Sequence, residues 1–140
     1  MSNQQTDSSL IDLVSKQHGL ILEVMKTVES AAKEKDDIKF FDNFKHLGSL
    51  LEEHLLLEDE YLYPTLKNRP ELEAPLLSIK YKDEMAGLEK ALGEYSENWD
   101  TPVTLNSDRE KFVNETINLC AAVKERIERE ENNLFPLLKS

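Results

Sequence analysis

The sequence has little cysteine, few basic residues and no long apolar run, and each shortage excludes a class of protein. One cysteine, Cys120, among 140 residues leaves no internal disulfide. No apolar stretch approaches the roughly 20 residues that span a bilayer. The polar start MSNQQTDSSL lacks the basic-then-apolar order of a secretory signal. We therefore expect a cytoplasmic protein that does not associate with a membrane.

The shortage of basic residues bears on the partners that the chain can bind. Lysine and arginine total 17 against 28 acidic residues, which gives a formal net charge of -11. Such a surface repels the phosphates of nucleic acids, so we expect no nucleic acid partner.

What the sequence does contain is apolar residues that recur every three or four positions, as in long amphipathic helices. The pattern predicts four helices with approximate bounds 8–33, 37–66, 72–99 and 107–138. A capping box of Ser107 and Glu110 is expected to start the last helix. Short links imply antiparallel neighbours. We therefore predict an all-α, up-down-up-down four-helix bundle that fills a single domain over residues 1–140.

An internal repeat divides this predicted bundle into two helical hairpins. The segment His54–Pro64 lies over Arg126–Pro136 with identical spacing, so that Glu58 matches Glu130. The first and third helices also correspond if His18 is placed over Lys82. A single hairpin could not bury its apolar face alone, which indicates that the two copies pack together.

Polar residues interrupt the apolar stripes at one predicted level of the bundle. Counting residues from each link places His18, His54, Lys82 and Arg126 at similar heights. Glu58 and Glu130 follow one turn later on the same faces. Two imidazoles and two carboxylates suit iron, manganese or zinc. A buried carboxylate without compensation costs several kcal/mol, so either a metal or the basic residues must neutralise these groups.

These motifs carry a resemblance to a known family. His18 and His54-x-x-x-Glu58, followed by Tyr61-Leu62-Tyr63-Pro64, resemble the first half of the hemerythrin-like (HHE cation-binding) repeat. The run Glu130-Glu131-Asn132-Asn133-Leu134-Phe135-Pro136 resembles the end of the second half. The resemblance covers nearly the whole chain. It implies two irons between the helices, histidine ligands, bridging carboxylates, and roles in oxygen binding, oxygen or nitric oxide sensing, or iron handling.

The chain departs from that family pattern in its second half, where Lys82 and Arg126 stand in place of histidines. Both side chains are protonated donors and do not ligate metals at neutral pH. We therefore expect at most a mononuclear site, one iron or another divalent ion per chain. The predicted ligands are His18, His54, Glu58 and Glu130. Tyr61, one turn beyond Glu58, could donate a hydrogen bond to a ligand carboxylate.

Three functional interpretations remain open from the sequence. The first is a metal-binding or sensing protein that retains this partial site, with a small diatomic molecule as a further ligand. The alternative is a metal-free pseudo-hemerythrin that acts as a protein-interaction or regulatory module, in which Lys82 and Arg126 neutralise the carboxylates. The third is a redox enzyme or oxygen carrier with a complete di-iron site, which would require ligands from the third and fourth helices that the sequence does not reveal. Neither a catalytic triad nor a phosphate-binding loop is present, and we expect no enzymatic activity.

Overall fold

The computed structural model describes residues 3–68 and 74–136, and within these ranges it contains helices and no strand. The α-helices are α1 (Asn3–Glu34), α2 (Asp37–Leu57), α3 (Tyr63–Lys67), α4 (Ala74–Asn98), α5 (Pro102–Ser107) and α6 (Arg109–Arg129). Two π-helical turns complete the order. One, Glu58–Leu62, joins α2 to α3, and the other, Glu130–Leu134, follows α6. The all-α prediction is confirmed.

The link between α1 and α2 is short because the backbone closes it tightly. Lys35 adopts the left-handed conformation that ends many helices, with φ 62°. The Asp36 amide then donates to the Ala31 carbonyl over 3.0 Å. The Asp36 side chain accepts from the Lys39 amide over 3.1 Å and so caps α2. These contacts turn the chain back on itself and make α1 and α2 a hairpin.

The segment before the last long helix differs from the prediction. Residues 98–106 were expected to form a link, yet they include most of α5, which begins with a capping box between Thr101 and Thr104. Ser107 is the last residue of α5, and its hydroxyl donates to the Thr104 carbonyl within that helix. Asp108 caps α6 instead, accepting from the Lys111 amide. The predicted capping box of Ser107 and Glu110 is therefore wrong.

The other predicted bounds differ in smaller ways. The first helix begins at Asn3, earlier than the predicted residue 8. The predicted start of the third helix at 72 and the predicted end of the fourth at 138 lie outside the described residues.

The long helices pack against each other in opposite directions. Helix α1 contacts α2 and α6, and α6 also contacts α4. Near the start of α6, Thr116 meets Tyr95 near the end of α4, whereas the guanidinium of Arg126 near the end of α6 lies over the ring of Tyr81 near the start of α4. These contacts are those of an antiparallel bundle.

Two apolar clusters fill the interior, with a polar layer between them. The larger cluster lies towards the α1–α2 link and is built around the rings of Phe40, Phe112 and Trp99. The smaller lies at the other end and includes Leu62 and Phe135. The residues between the clusters are buried although they are polar: His18, His54, Glu58, Arg126 and Glu130. The fold thus removes five ionisable side chains from water at one level.

Among the described residues, no helix combines the length and apolar character needed to cross a membrane.

Candidate metal centre

Four side chains converge in the polar layer. Each of His18, His54, Glu58 and Glu130 offers a ligand atom, and these atoms all lie within 4.8 Å of one another. The two imidazole Nε2 atoms are 3.0 Å apart. His54 Nε2 lies 2.8 Å from Glu58 Oε1, and His18 Nε2 lies 2.9 Å from Glu130 Oε1. The structure therefore brings together all four predicted ligands, and it confirms that His18 and His54 share one level.

Helix periodicity explains why these side chains point inwards. His18 falls on the buried stripe of α1 between Val14 and Ile21, at the spacing that keeps one face turned to the core. His54 continues the stripe of α2, and Glu58 stands one turn further along. The carboxylates are fully buried, with no exposed surface on either Glu58 or Glu130.

Each ligand carboxylate begins a π-helical turn, which shifts the face of the residues that follow. The Tyr63 amide donates to the Glu58 carbonyl, and the Phe135 amide donates to the Glu130 carbonyl, five residues apart in both cases. Because such a turn holds an extra residue, Tyr63 comes to lie beside Glu58 and Phe135 beside His18. The Tyr63 hydroxyl donates to Glu58 Oε2 over 3.1 Å, and the Phe135 ring stacks on His18 at 5.6 Å.

The same turn overturns the prediction for Tyr61. This side chain is 53% exposed and does not contact the ligand carboxylate, whose phenolic partner is Tyr63. The prediction assumed a regular α-helix through Glu58, in which a residue three positions later shares its face. No propensity signal in the sequence marks the π-helical turn.

Hydrogen bonds outside the ligand set fix the tautomer of both histidines. His18 Nδ1 lies 2.6 Å from Glu131 Oε2, and His54 Nδ1 lies 2.9 Å from Gln17 Oε1. Both partners are oxygen acceptors, so in the neutral imidazoles Nδ1 carries the proton and Nε2 presents a lone pair to the centre. Sequence reasoning missed Gln17 and Glu131. Each is next to a predicted ligand in the sequence, but its hydrogen bond is to a histidine on another helix, and sequence spacing does not show the orientation of that imidazole ring.

While both imidazoles are neutral, the centre holds acceptors without donors. Two imidazole lone pairs then face two carboxylate oxygens, Glu58 Oε1 and Glu130 Oε1. Among the described residues, both oxygens are buried, and in this protonation state they have no hydrogen-bond partner, whereas a protonated His54 would donate to them. A cation must neutralise such a group of atoms, because unpaired buried acceptors and charges are costly. These residues therefore fit a metal ion, and protons are the other cation that can occupy the site.

The pKa values of His54, Glu58 and Glu130 are shifted by their burial and by one another. Burial alone would lower the pKa of His54, but hydrogen bonds and charge from Glu130 and Glu58 outweigh it and raise the pKa to about 9. Burial and the neighbouring Glu130 raise the pKa of Glu58 to about 7. Burial acts in the same direction on Glu130, but contacts with His18, His54 and Arg126 hold the pKa of that carboxyl well below its usual range.

Arg126 occupies the side of the site where the family pattern has a histidine. It is 4% exposed. Its Nε donates to Glu130 Oε2 over 2.9 Å, and one terminal nitrogen donates to the Tyr63 hydroxyl over 2.7 Å. Tyr63 donates in turn to Glu58 Oε2. The outer oxygen of each ligand carboxylate, Oε2, therefore already accepts a hydrogen bond. The predicted pairing of Arg126 with Glu130 is confirmed.

Lys82 does not join the site, and the prediction that it points inwards is wrong. Its side chain is exposed on α4, whereas Tyr81 and Met85 are buried. The inward stripe of α4 repeats the steps of the inward stripe of α1 when His18 is placed over Met85. The pairs are Val14 with Tyr81, His18 with Met85, Ile21 with Leu88, Met25 with Leu92, Val28 with Tyr95 and Ala32 with Trp99.

The predicted alignment of His18 with Lys82 also pairs Val24 with Leu88. Val24 is only half-buried, and the residue of α1 that corresponds to Leu88 is the buried Ile21, three positions earlier. Met85 also lines a small internal cavity together with His54, Arg126 and Glu130, which places it at the level of the centre.

A helical bundle with four buried ligand side chains at one level defines the class of metal-binding bundle domains. The model of the Hemerythrin HHE cation binding domain matches residues 9–138 of the chain. The protein therefore belongs to the hemerythrin HHE cation-binding domain family. No curated protein and no solved structure gives a significant match.

Proposed function

We propose that this protein binds one divalent metal ion per chain, and that this ion is iron rather than manganese or zinc. The ligands are Nε2 of His18, Nε2 of His54, Oε1 of Glu58 and Oε1 of Glu130. The observation that carries the proposal is the convergence of these four buried atoms, none of which is a donor while both imidazoles are neutral. Two imidazoles with two carboxylates form a ligand set suited to these ions.

The bonding of the outer carboxylate oxygens supports one ion rather than two. A second metal bridged by the carboxylates would need Glu130 Oε2 and Glu58 Oε2, which bond to Arg126 and Tyr63. The Arg126 guanidinium also places a fixed positive charge there, and a second cation beside it would meet repulsion in a buried region. With one divalent ion, the two ligand carboxylates and Arg126 give a local charge of about +1, which the Glu131 carboxylate on His18 brings to about zero.

We further propose a binding or sensing role without catalysis, in a reducing cytoplasmic setting. An iron held by four protein ligands would keep coordination positions for a small diatomic molecule. The hydrogen bonds of Gln17 and Glu131 hold the imidazoles in place, and the apolar clusters on both sides exclude water from the centre. Membership of a cation-binding family supports the bound metal.

The second candidate is a metal-free module in which protons and Arg126 hold the carboxylates. The buried ion pair of Arg126 with Glu130 favours it. The unpaired Oε1 atoms of both carboxylates favour the metal instead, because Arg126 reaches only the outer oxygens.

Elemental analysis of protein purified after growth with iron tests these candidates. One metal per chain, with no oxo-bridge absorption, is the result expected from the geometry. Two irons per chain would replace the proposal with a di-iron site. If no metal binds even after anaerobic reconstitution with ferrous ion, the metal-free module is the function that remains.

Matched variants locate the bound metal. We expect His54→Ala and Glu58→Gln to lower the metal content below about a tenth of the wild-type ratio, since each removes a ligand. The exposed residues His46 and Glu52 serve as controls. His46→Ala and Glu52→Gln should keep one metal per chain. Equal loss in both sets would show that the metal binds elsewhere.

A further inference from the structure

An open apolar groove of about 500 Å³ runs between α2 and α4. Leucine side chains form much of its lining, among them Leu51, Leu55 and Leu92, and none of the four ligand residues lines it. Leu56 on the rim is 56% exposed. The groove is thus an apolar surface that the described part of the chain leaves uncovered.

Two glycines, Gly48 on α2 and Gly93 on α4, line the groove from its two walls. A Cβ atom at either position would meet nothing within 4 Å, as is also true of Gly19 and Gly87 outside the groove. The absence of side chains at Gly48 and Gly93 leaves both helix backbones accessible in the groove.

The charge of the groove is of one sign. Glu52, Asp59 and Glu89 belong to its lining, and the described residues of that lining include no lysine and no arginine. The whole chain carries a net charge of -11, which adds to the negative potential around these carboxylates. An occupant therefore has to combine an apolar surface with positive charge.

We propose that this groove binds an amphipathic helix of a partner protein, with an apolar face against the leucines and basic residues beside the acidic rim. The lining residues of this wall extend from Phe44 on α2 to Asp59 in the π-helical turn that follows it. At 1.5 Å per residue this is about 22 Å, the length of roughly four helical turns. A helix in an apolar groove is a common mode of peptide recognition, with anchors at every third or fourth residue. The groove shares no ligand with the metal centre, so this proposal stands independently of the proposed function.

A synthetic 16-residue peptide with leucines on one helical face and lysines on both flanks is the probe. Its binding to the full chain can be followed by fluorescence anisotropy, with a peptide of the same leucines and glutamate flanks for comparison. We expect the lysine peptide to bind at least tenfold more tightly than the glutamate peptide. Equal binding of both peptides, or no binding of either, would overturn the proposal.

Variants test whether binding takes place in the groove rather than on the acidic surface in general. Gly48→Gln combined with Gly93→Gln would fill the groove without a clash and should weaken binding at least tenfold. The matched control is Gly19→Gln with Gly87→Gln, since these glycines also lie in helices with open space around them but outside the groove. The control should bind like the wild type. A similar loss in both pairs contradicts the proposal.

Charge reversal supplies a second, independent test. Glu52→Lys with Glu89→Lys should weaken binding of the lysine peptide at least tenfold. Glu23→Lys with Glu34→Lys, on exposed positions of α1, changes the net charge equally and should have a much smaller effect. Equal effects would show nonspecific attraction. Self-association that the double glutamine variant abolishes would identify a second copy of the chain as the occupant and would also overturn the proposal.

Discussion

Replacing Arg126 by methionine tests the relation between the fixed cation and the metal. Methionine keeps much of the length of the side chain and removes the charge. Arg126 is 4% exposed and donates to Glu130 Oε2 over 2.9 Å and to the Tyr63 hydroxyl over 2.7 Å, while its guanidinium lies 4.6 Å from the centre of the Tyr81 ring. The variant therefore leaves the buried Glu130 carboxylate without its arginine partner when no metal is bound.

The magnitude follows from the energetics of buried ion pairs. Removal of one partner of such a pair costs about 3–5 kcal/mol, because the other charge stays buried and uncompensated. In the metal-bound protein the ion still neutralises Glu130, and only hydrogen bonds are lost, at about 1–2 kcal/mol. The difference of about 1–4 kcal/mol must appear as tighter metal binding in Arg126→Met. At about 1.4 kcal/mol for each factor of ten, the dissociation constant falls at least about fivefold.

Urea denaturation in EDTA and with saturating manganese would measure the two free energies of unfolding, and calorimetric titration would measure the affinity. Arg129→Met is the matched control on the same helix. Arg129 is 34% exposed and pairs with Glu84 at 2.6 Å, so its loss should change stability by at most about 1 kcal/mol and leave the affinity unchanged. If Arg126→Met destabilises both forms equally and binds metal like the wild type, then Arg126 does not compete with the metal for Glu130.

Three further predictions concern the second half of the site, its protons and the thiol. The double variant Arg126→His with Met85→His should raise the metal content from one towards two ions per chain in elemental analysis. An unchanged ratio would contradict the register in which Met85 corresponds to His18. Because the native pKa of His54, about 9, lies above its ordinary 6.5, the metal-free protein should lose stability as the pH rises from 6.5 through 9. Urea denaturation in EDTA at several pH values measures this loss of stability, and bound metal should abolish it. A free energy of unfolding that rises between pH 6.5 and 9 would refute the prediction. Burial raises the pKa of Cys120 to about 12, so iodoacetamide should modify the native protein at least roughly tenfold more slowly than the urea-unfolded chain, and equal rates would show that the thiol is accessible.

The two π-helical turns support the internal repeat independently of its residue spacing. One begins at Glu58 and the other at Glu130, the residues that the repeat places in register. Each turn brings an aromatic residue five positions later to the centre, Tyr63 in one half and Phe135 in the other. Only Tyr63 carries a hydroxyl, and it forms a link between Arg126 and Glu58. The two halves therefore share a backbone conformation but differ in the chemistry of the matching side chains.

Local periodicity was sufficient to predict much of this protein. The apolar stripes determined that the chain is helical, and the polar interruptions identified His18, His54, Glu58 and Glu130, because a buried polar residue on an apolar stripe is visible in the sequence. Residue counts from the links placed His18 and His54 at one height, since the rise of a helix is fixed at 1.5 Å per residue. These inferences depend on geometry within single helices and across a short hairpin.

The tertiary structure decided what local periodicity could not. It turned Lys82 to the solvent and Met85 to the core, because the register of α4 depends on which face packs against α6 and not on its own sequence alone. It also placed Gln17 and Glu131 on the Nδ1 atoms of the histidines, and Arg126 and Tyr63 on the outer carboxylate oxygens. The sequence by itself determined which ligands are available. The packing of the helices determined which of their atoms are free to bind a cation, since hydrogen bonds between helices depend on side-chain directions that spacing does not record.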